Sequence, residues 1–486
     1  MSIKAKQFHI FTVGWGVKLI NGIYTPLEAG GLLFTYGLVS EFDAVTTSED
    51  RCESRFVRLG LAKNERVPPP DYELLASLEC VGVPSIRTMI LGDRVLRNRP
   101  ESEALGYVTF LAQRLRCALL RHKPDLVLGS FDQAHAMLGL AVAKSIGIPW
   151  VAMSFSVIPE NLVGFCRRLT PNSLIADLGR PVDSCIRREA KEVMEHFRSK
   201  EMKVFTFRPA TTLAERLMHM GVYSRNLARR FLLPTDYNKF VFPTVRERIS
   251  DIVRRNFNAL TNSENLFLRS PGLRRYVFFP LQMKPEMSTD TQAPFYQDQV
   301  ALIRQLSDAI PIEFDFVVKL HLSDPDNYSR AQLSGLLRIP RLRIAHPSAS
   351  SFSFLERASL VIGITGTPCL EAALLGKPVL IFGDSAYLNF PRSERAGCPD
   401  EFYQQIRRML ELPPPKDEEI VDAFALYMAR YMPGRINDWT RPIEKDELER
   451  LSDCFRALQS YIIVPANRAN WYNRPPFAGG ADQKLD

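Results

Sequence analysis

Short apolar runs rich in β-branched residues alternate with longer stretches of helical periodicity over two parts of the chain. Ala358–Asp384 shows the pattern most clearly. Ser359–Ile364 is a run suited to a strand buried on both faces. Thr365-Gly366-Thr367 breaks it, Pro368 fits the first helical position, and Cys369–Leu375 has helix-forming composition. Gly376 is a natural stop, and Pro378–Phe382 is a second apolar strand, so the stretch predicts one βαβ unit. Upstream, Tyr276–Leu281, Phe314–Leu320 and Leu342–Ala345 read as strands and Tyr296–Ile310 as a helix. Near the start, the strands Phe8–Gly14, Leu126–Gly129 and Ile148–Met153 alternate with the helices Ser102–Arg121 and Ala134–Ile146. Such alternation predicts an α/β protein with parallel sheets.

Between Asn161 and Arg275 the strand signal fades and arginine-rich helical patterns replace it, at Arg187–Lys200, Leu213–Leu233 and Thr244–Asn258. Glu401–Leu412 and Asp417–Arg430 are helical, while Pro465–Asp486 has the composition of a disordered tail. The expected division is 1–165 for a first α/β domain, 166–272 for a basic helical insert, 273–400 for a second α/β domain, 401–464 for helices packing back on the first, and 465–486 for the tail.

The candidate chemistry gathers where strands give way to helices, the edge at which open α/β sheets bind ligands. Amides and hydroxyls of Thr365, Gly366 and Thr367 suit phosphate oxygens, although many such turns bind nothing. Glu371 lies one turn further along, within reach of ribose hydroxyls. Lys319 and His321 end a predicted strand and suit a phosphate; an imidazole satisfied inside its loop is the other reading of His321. Gln282–Pro294 has the length of a loop that moves over a cleft. After Leu126–Gly129, Asp132 caps the next helix or acts catalytically, with His135 one turn in. Gly14, Trp15 and Gly16 follow the first strand without forming a dinucleotide fingerprint, and Glu28-Ala29-Gly30-Gly31 is a second flexible spot, with Glu28 a candidate for the cleft. Asp324-Pro325-Asp326 has metal-motif spacing but is set off from its strand by a polar turn, so no metal site is expected.

The stretch TGTPCLEAALLGKPVLIFG resembles the second-domain motif of GT-B glycosyltransferases, in particular the bacterial capsule-polysaccharide-biosynthesis group. Tyr276–Gln282 resembles the first strand of that domain, and Val317–Leu322 its Lys-x-His-Pro strand end, with Leu322 in place of the proline. The resemblance covers roughly 275–391, and the first 165 residues in pattern only. It implies two Rossmann-like domains facing a cleft and a metal-independent, cofactor-free transferase. The nucleotide-sugar donor would be held by Gln282, Lys319, His321, Thr365, Gly366, Thr367 and Glu371. Asp132 and His135 would be the catalytic groups, and Gly14, Trp15 and Gly16 would line the site of a polysaccharide or lipid-linked glycan acceptor. Two rivals share the architecture: a transferase moving a polyol phosphate from a nucleotide donor, and a non-catalytic glycan-binding protein.

Composition narrows the setting. At 486 residues with 46% hydrophobic and 24% charged content, the chain can bury sizeable cores. Eight cysteines without a CxxC pair predict reduced thiols and a cytoplasmic protein. No signal peptide is visible, and no uncharged stretch reaches the ~18 residues of a membrane span. Net charge is +8, yet 161–275 holds 22 Lys and Arg against 11 Asp and Glu, which is +11 and leaves −3 for the rest. This points to a localised anionic partner. Leu213–Leu233, with Leu, Met, Val and Phe between arginines, is the candidate for peripheral contact with an anionic membrane at the inner face of the plasma membrane. Nucleic acid is not expected, because no aromatic platforms alternate with the arginines.

Overall fold

The computed structural model describes residues 7–13, 27–28, 31–39, 55–62, 65–131, 133–200, 239–262, 264–322, 324–435 and 444–473. Gly14, Trp15, Gly16, Asp132 and the 213–233 segment lie outside these residues. The chain divides into two compact units. The first comprises the described residues up to 180 together with 239–243 and 430–473; the second comprises 181–200 and 244–429.

The described strands, in chain order, begin with β1 (Phe8–Val13), β2 (Leu32–Leu38), β3 (Phe56–Arg58), β4 (Leu126–Gly129), β5 (Trp150–Phe155) and β6 (Leu162–Cys166). They continue with β7 (Phe267–Leu268), β8 (Tyr276–Pro280), β9 (Asp315–Lys319), β10 (Leu342–Ala345), β11 (Leu360–Gly363), β12 (Val379–Ile381), β13 (Ser393–Arg395) and β14 (Met432–Pro433).

In the first unit seven strands run in the order β14-β6-β5-β4-β1-β2-β3. From β3 to β5 neighbouring strands are parallel; β6 and β14 extend the sheet antiparallel. The second sheet also has seven strands, in the order β13-β12-β11-β8-β9-β10-β7, and every pairing is parallel. In each unit the first central strand sits mid-sheet and the order reverses beside it, between β1 and β4 in one and between β8 and β11 in the other. That reversal opens a crevice beyond the carboxyl ends of the strands. The expected α/β class holds: two parallel-rich sheets, each covered by helices.

The apolar runs explain the central strands. Leu360, Val361 and Ile362 of β11 are fully enclosed, as a strand covered on both faces must be. Each such side chain contributes about 1.5–3 kcal/mol of burial. One core cluster of the second unit carries Val277 and Phe279, Val318, Leu360 and Ile362, and Phe402, Ile406 and Met409 from a later helix.

The division of the chain differs from the expected one in three places. The described part of the basic segment is no separate insert: Cys166 ends β6, whereas helices Ser184–Arg198 and Val245–Thr261 belong to the second unit. The helices after 400 split. Phe402–Glu411 and Asp417–Ala429 stay with the second unit, and Lys445–Ile463 joins the first, placing Leu451, Phe455, Leu458 and Ile462 in its core. The expected tail starts as structure. Pro465–Ala469 is helical, and Trp471 is 3% exposed with its indole Nε1 donating to Trp150 O at 3.2 Å. A large aromatic ring with a polar tip outweighs the polar composition around it.

Candidate functional site

The crevice of the second sheet is built from three adjacent strand ends. β8 runs out through Leu281 into Gln282, β9 ends at Lys319, and β11 leads into Ile364 and Thr365. Gln282 Nε2 donates to Thr365 Oγ1 at 3.2 Å, bridging the two strands that flank the reversal. Gln282 is in turn fixed by Gln299: its amide N donates to Gln299 Oε1 at 2.9 Å, and Gln299 Nε2 donates back to Gln282 O at 2.9 Å. Gln299 opens the helix Gln299–Ala309, so this pair ties the two ends of the intervening loop together. Lys284 strengthens the tie, with its N donating to Asp324 Oδ2 at 3.2 Å and its Nζ to Gln297 O at 2.7 Å. Thr289, Asp290 and Thr291 are buried. The loop expected to move is therefore anchored at both ends and packed in its middle.

The helix Thr367–Leu374 starts at the crevice with Gly366 as its N-cap. Pro368 brings no N–H, and the Cys369 N–H is taken by Gly366 O at 3.0 Å. The amides of Gly366 and Thr367 and the Thr367 hydroxyl are donor groups at this terminus. A Cβ on Gly363 would lie 2.2 Å from Cys369 Sγ, so the missing side chain lets the helix settle against β11. At the other end Gly376, at φ +69°, takes the left-handed turn that closes the helix.

Lys319 and Glu371 are both buried, and the charge of each acts on the other. Lys319 is 5% exposed, and its Nζ donates to Pro347 O at 2.9 Å. Burial lowers its pKa to about 8, and the attraction of Glu371 opposes that fall. Glu371 is 9% exposed, on a helix whose residues from Cys369 to Leu374 are all buried. Burial raises its pKa to about 7, and Lys319 holds it back. The carboxylate expected within reach of ribose hydroxyls is thus largely enclosed. His321 is half-buried, and burial and then the Lys319 charge lower its pKa. A neutral imidazole beside a buried ammonium suits a site that receives negative charge.

Asp324, whose spacing suggested a metal motif, is spent elsewhere. It is 2% exposed and forms a short ion pair with Arg255 of the helix Val245–Thr261 while accepting from Lys284 N. It joins that helix to the anchored loop.

In the first unit, Ser130 and Phe131 follow β4, Gln133 takes φ 72°, and the helix Ala134–Ser145 begins. The amide of Ala134 donates to Asp93 Oδ2 at 2.9 Å, and Asp93 Oδ1 accepts from Val95 N at 2.8 Å and Leu96 N at 2.9 Å. Asp93, 6% exposed, is the capping carboxylate of this turn and comes from far upstream. His135 is 7% exposed; burial lowers its pKa to about 4 against the pull of Asp93. Its imidazole is neutral at pH 7 and a weak proton acceptor, which is poorly matched to general-base work. Glu28 forms an ion pair with Arg55.

Fold and site together define a class: a protein of two doubly wound α/β units, with its polar groups collected where the strand order reverses. No protein-family model matches the chain. Protein FixF of Sinorhizobium fredii (strain NBRC 101917 / NGR234) is 29% identical over 121 residues, which are 24% of this chain and 28% of that protein. The chain thus matches little more than a quarter of that relative's length. The solved structures similar to this chain include two of Thermosulfurimonas dismutans KpsC. Its beta Kdo 2,4 transferase has 11% identity, 62% of this chain and 79% of that chain covered, and TM-score 0.32. For its beta Kdo 2,7 transferase the values are 14%, 70%, 89% and 0.34. The UDP-GlcNAc 2-epimerase of Methanocaldococcus jannaschii, in complex with UDP-GlcNAc and UDP, is similar at 12% identity over 94% of this chain and 100% of that one, TM-score 0.31.

Proposed function

We propose that this protein is a glycosyltransferase that moves a sugar from a nucleotide-sugar donor to a polysaccharide or lipid-linked glycan acceptor. One observation carries the reading. At the strand-order reversal of the second sheet, Gln282, Lys319, His321 and the Thr365–Thr367 turn gather at three neighbouring strand ends. The motif resemblance of the same residues to GT-B transferases supports it.

The chemistry follows from charge. The bond from the anomeric carbon to the donor phosphate breaks as the acceptor oxygen bonds to that carbon, so negative charge collects on the phosphate of the departing nucleotide. Fixed donors aimed at that charge lower the barrier. The Lys319 ammonium and the Gly366 and Thr367 amides are such donors, and Glu371 steadies Lys319 while accepting from the donor's ribose. Asp132, beyond β4, takes the proton of the acceptor hydroxyl in this reading. His135, neutral and enclosed, supports the turn that carries it. Gly14, Trp15 and Gly16, next in sequence after β1, contact the acceptor in this reading.

Calorimetric titration with UDP-, CMP-, GDP- and CDP-linked donors tests the proposal. One donor class should bind, and Lys319→Met should weaken it about 10- to 100-fold, the size of a charge-assisted hydrogen bond. Asp132→Asn should bind that donor normally while turnover collapses. Failure of every donor to bind, or Lys319→Met binding as wild type does, overturns the reading. Transfer of a polyol phosphate instead of a sugar would move it to the rival chemistry.

A further inference from the structure

The helix Val245–Thr261 carries an apolar face that nothing among the described residues covers. Ile249, Ile252, Val253, Phe257 and Leu260 are 56%, 38%, 62%, 65% and 86% exposed. Their spacing of three, four and eight residues places them on one side of the helix. The opposite side is bound to the protein: Asn258, 4% exposed, donates from Nδ2 to Asp326 O at 2.9 Å, and Arg255 holds Asp324. This helix is therefore fixed in place with its apolar side turned outward. Scattered exposed apolar residues need no explanation, but a continuous row of five along three turns does.

Charge identifies what covers the row. At 100° per residue, Arg254 borders it on one side and Arg248 on the other, Arg246 lies within its arc at the N-terminal end, and Arg255, beyond Arg248, is turned to Asp324. The acidic residues of the helix are engaged locally, Glu247 in the capping box with Thr244 and Asp251 with Arg254 and Arg255. Across 245–275 there are seven arginines against three acidic residues. Pairing of this face with a second copy would set arginine margin against arginine margin, which like-charge repulsion opposes. An anionic lipid surface satisfies both features, taking the apolar row below its headgroups and the arginines among its phosphates.

We infer that the helix Val245–Thr261 is an interfacial membrane-docking helix, inserting Ile249, Val253, Phe257 and Leu260 into an anionic bilayer surface. The assignment concerns a different element from the 213–233 segment singled out by composition, and it is independent of the transfer chemistry proposed above.

The test is co-sedimentation of the full chain with phosphatidylcholine vesicles, with and without phosphatidylglycerol. Wild type should sediment with the anionic vesicles only and release as salt rises. Val253→Ser combined with Phe257→Ser should weaken partitioning at least about tenfold. Both side chains are mostly exposed, so the melting temperature should hold, and it is measured alongside. Arg246→Glu, which leaves the apolar row intact, should weaken binding to anionic vesicles as well. Three results overturn the inference: no sedimentation of wild type, equal sedimentation of the double variant, or a wild-type dimer in sedimentation velocity that the double variant abolishes.

Discussion

Replacing Glu371 by glutamine changes one charge at nearly constant shape, and the structure sets the size of the result. Holding the Glu371 pKa at about 7 rather than the ordinary 4.5 means that burial costs the ionised form about 3 kcal/mol relative to the unfolded chain. The sign follows from proton counting. Between these two values the folded protein holds a proton that the unfolded chain has lost, so stability falls as pH rises from 4.5 to 7. This group's contribution is fully present below 4.5 and is lost as pH passes through 7. Glutamine cannot titrate. Relative to wild type, Glu371→Gln should therefore gain up to about 3 kcal/mol between pH 4.5 and pH 8. Denaturant unfolding of both proteins at matched pH reads that difference. The wild-type-minus-variant infrared spectrum reads the carboxyl titration directly. The same substitution should weaken donor binding about 10- to 100-fold, because a charged acceptor is lost and Lys319 loses its counter-charge. A stability difference that stays flat across this pH range, with carboxyl titration near 4.5, would refute the burial of the Glu371 carboxyl.

Two further substitutions test the scaffolding of the crevices. Gly363→Ala places a Cβ 2.2 Å from Cys369 Sγ and should destabilise by about 1–3 kcal/mol. Adding Cys369→Ala should restore most of it, giving a strongly non-additive double-mutant cycle, whereas simple additivity would show that the close contact does not exist. Asp93→Asn leaves one acceptor oxygen where three amide donors converge and should cost about 1.5–3 kcal/mol, read as a lower melting temperature. An unchanged melting point would show that the helix after β4 starts without this carboxylate.

The central strands were legible in the sequence because a parallel strand covered on both faces needs an unbroken apolar run, as in Leu126–Gly129 and Leu360–Gly363. β2 was not, since Leu32–Leu38 carries Thr and Gly within a longer uncharged stretch and its limits are set by pairing with β1. β6 and β14 are short and meet across more than 260 residues of chain, which no local pattern records. The strand-end residues could be placed from sequence, because turns and helix starts have local signatures. Partners could not: Asp93 meets Ala134 across 41 residues, and Asp324 meets Arg255 across 69. Glu371 is instructive because a signal was present. Cys369, Leu370, Ala372, Ala373 and Leu374 surround it in sequence, and a helix apolar on every side is buried, polar member included.

The way the first unit is completed bears on how the chain matures during synthesis. Its sheet acquires β14 only from Met432–Pro433, and its core acquires the Lys445–Ile463 helix later still. Tyr472 then donates its hydroxyl to Ile148 O, and Trp471 its indole to Trp150 O. The described residues of the second unit, 181–200 and 244–429, all precede these elements in the chain. Translation therefore makes that described part of the later-encoded unit before the core of the first can close. The earlier-encoded sheet waits meanwhile with Phe34 and Phe165 uncovered, since Phe455, which packs edge-on to both rings, is made near the end. For that interval the nascent chain presents an aromatic surface of the kind that chaperones bind and that drives aggregation.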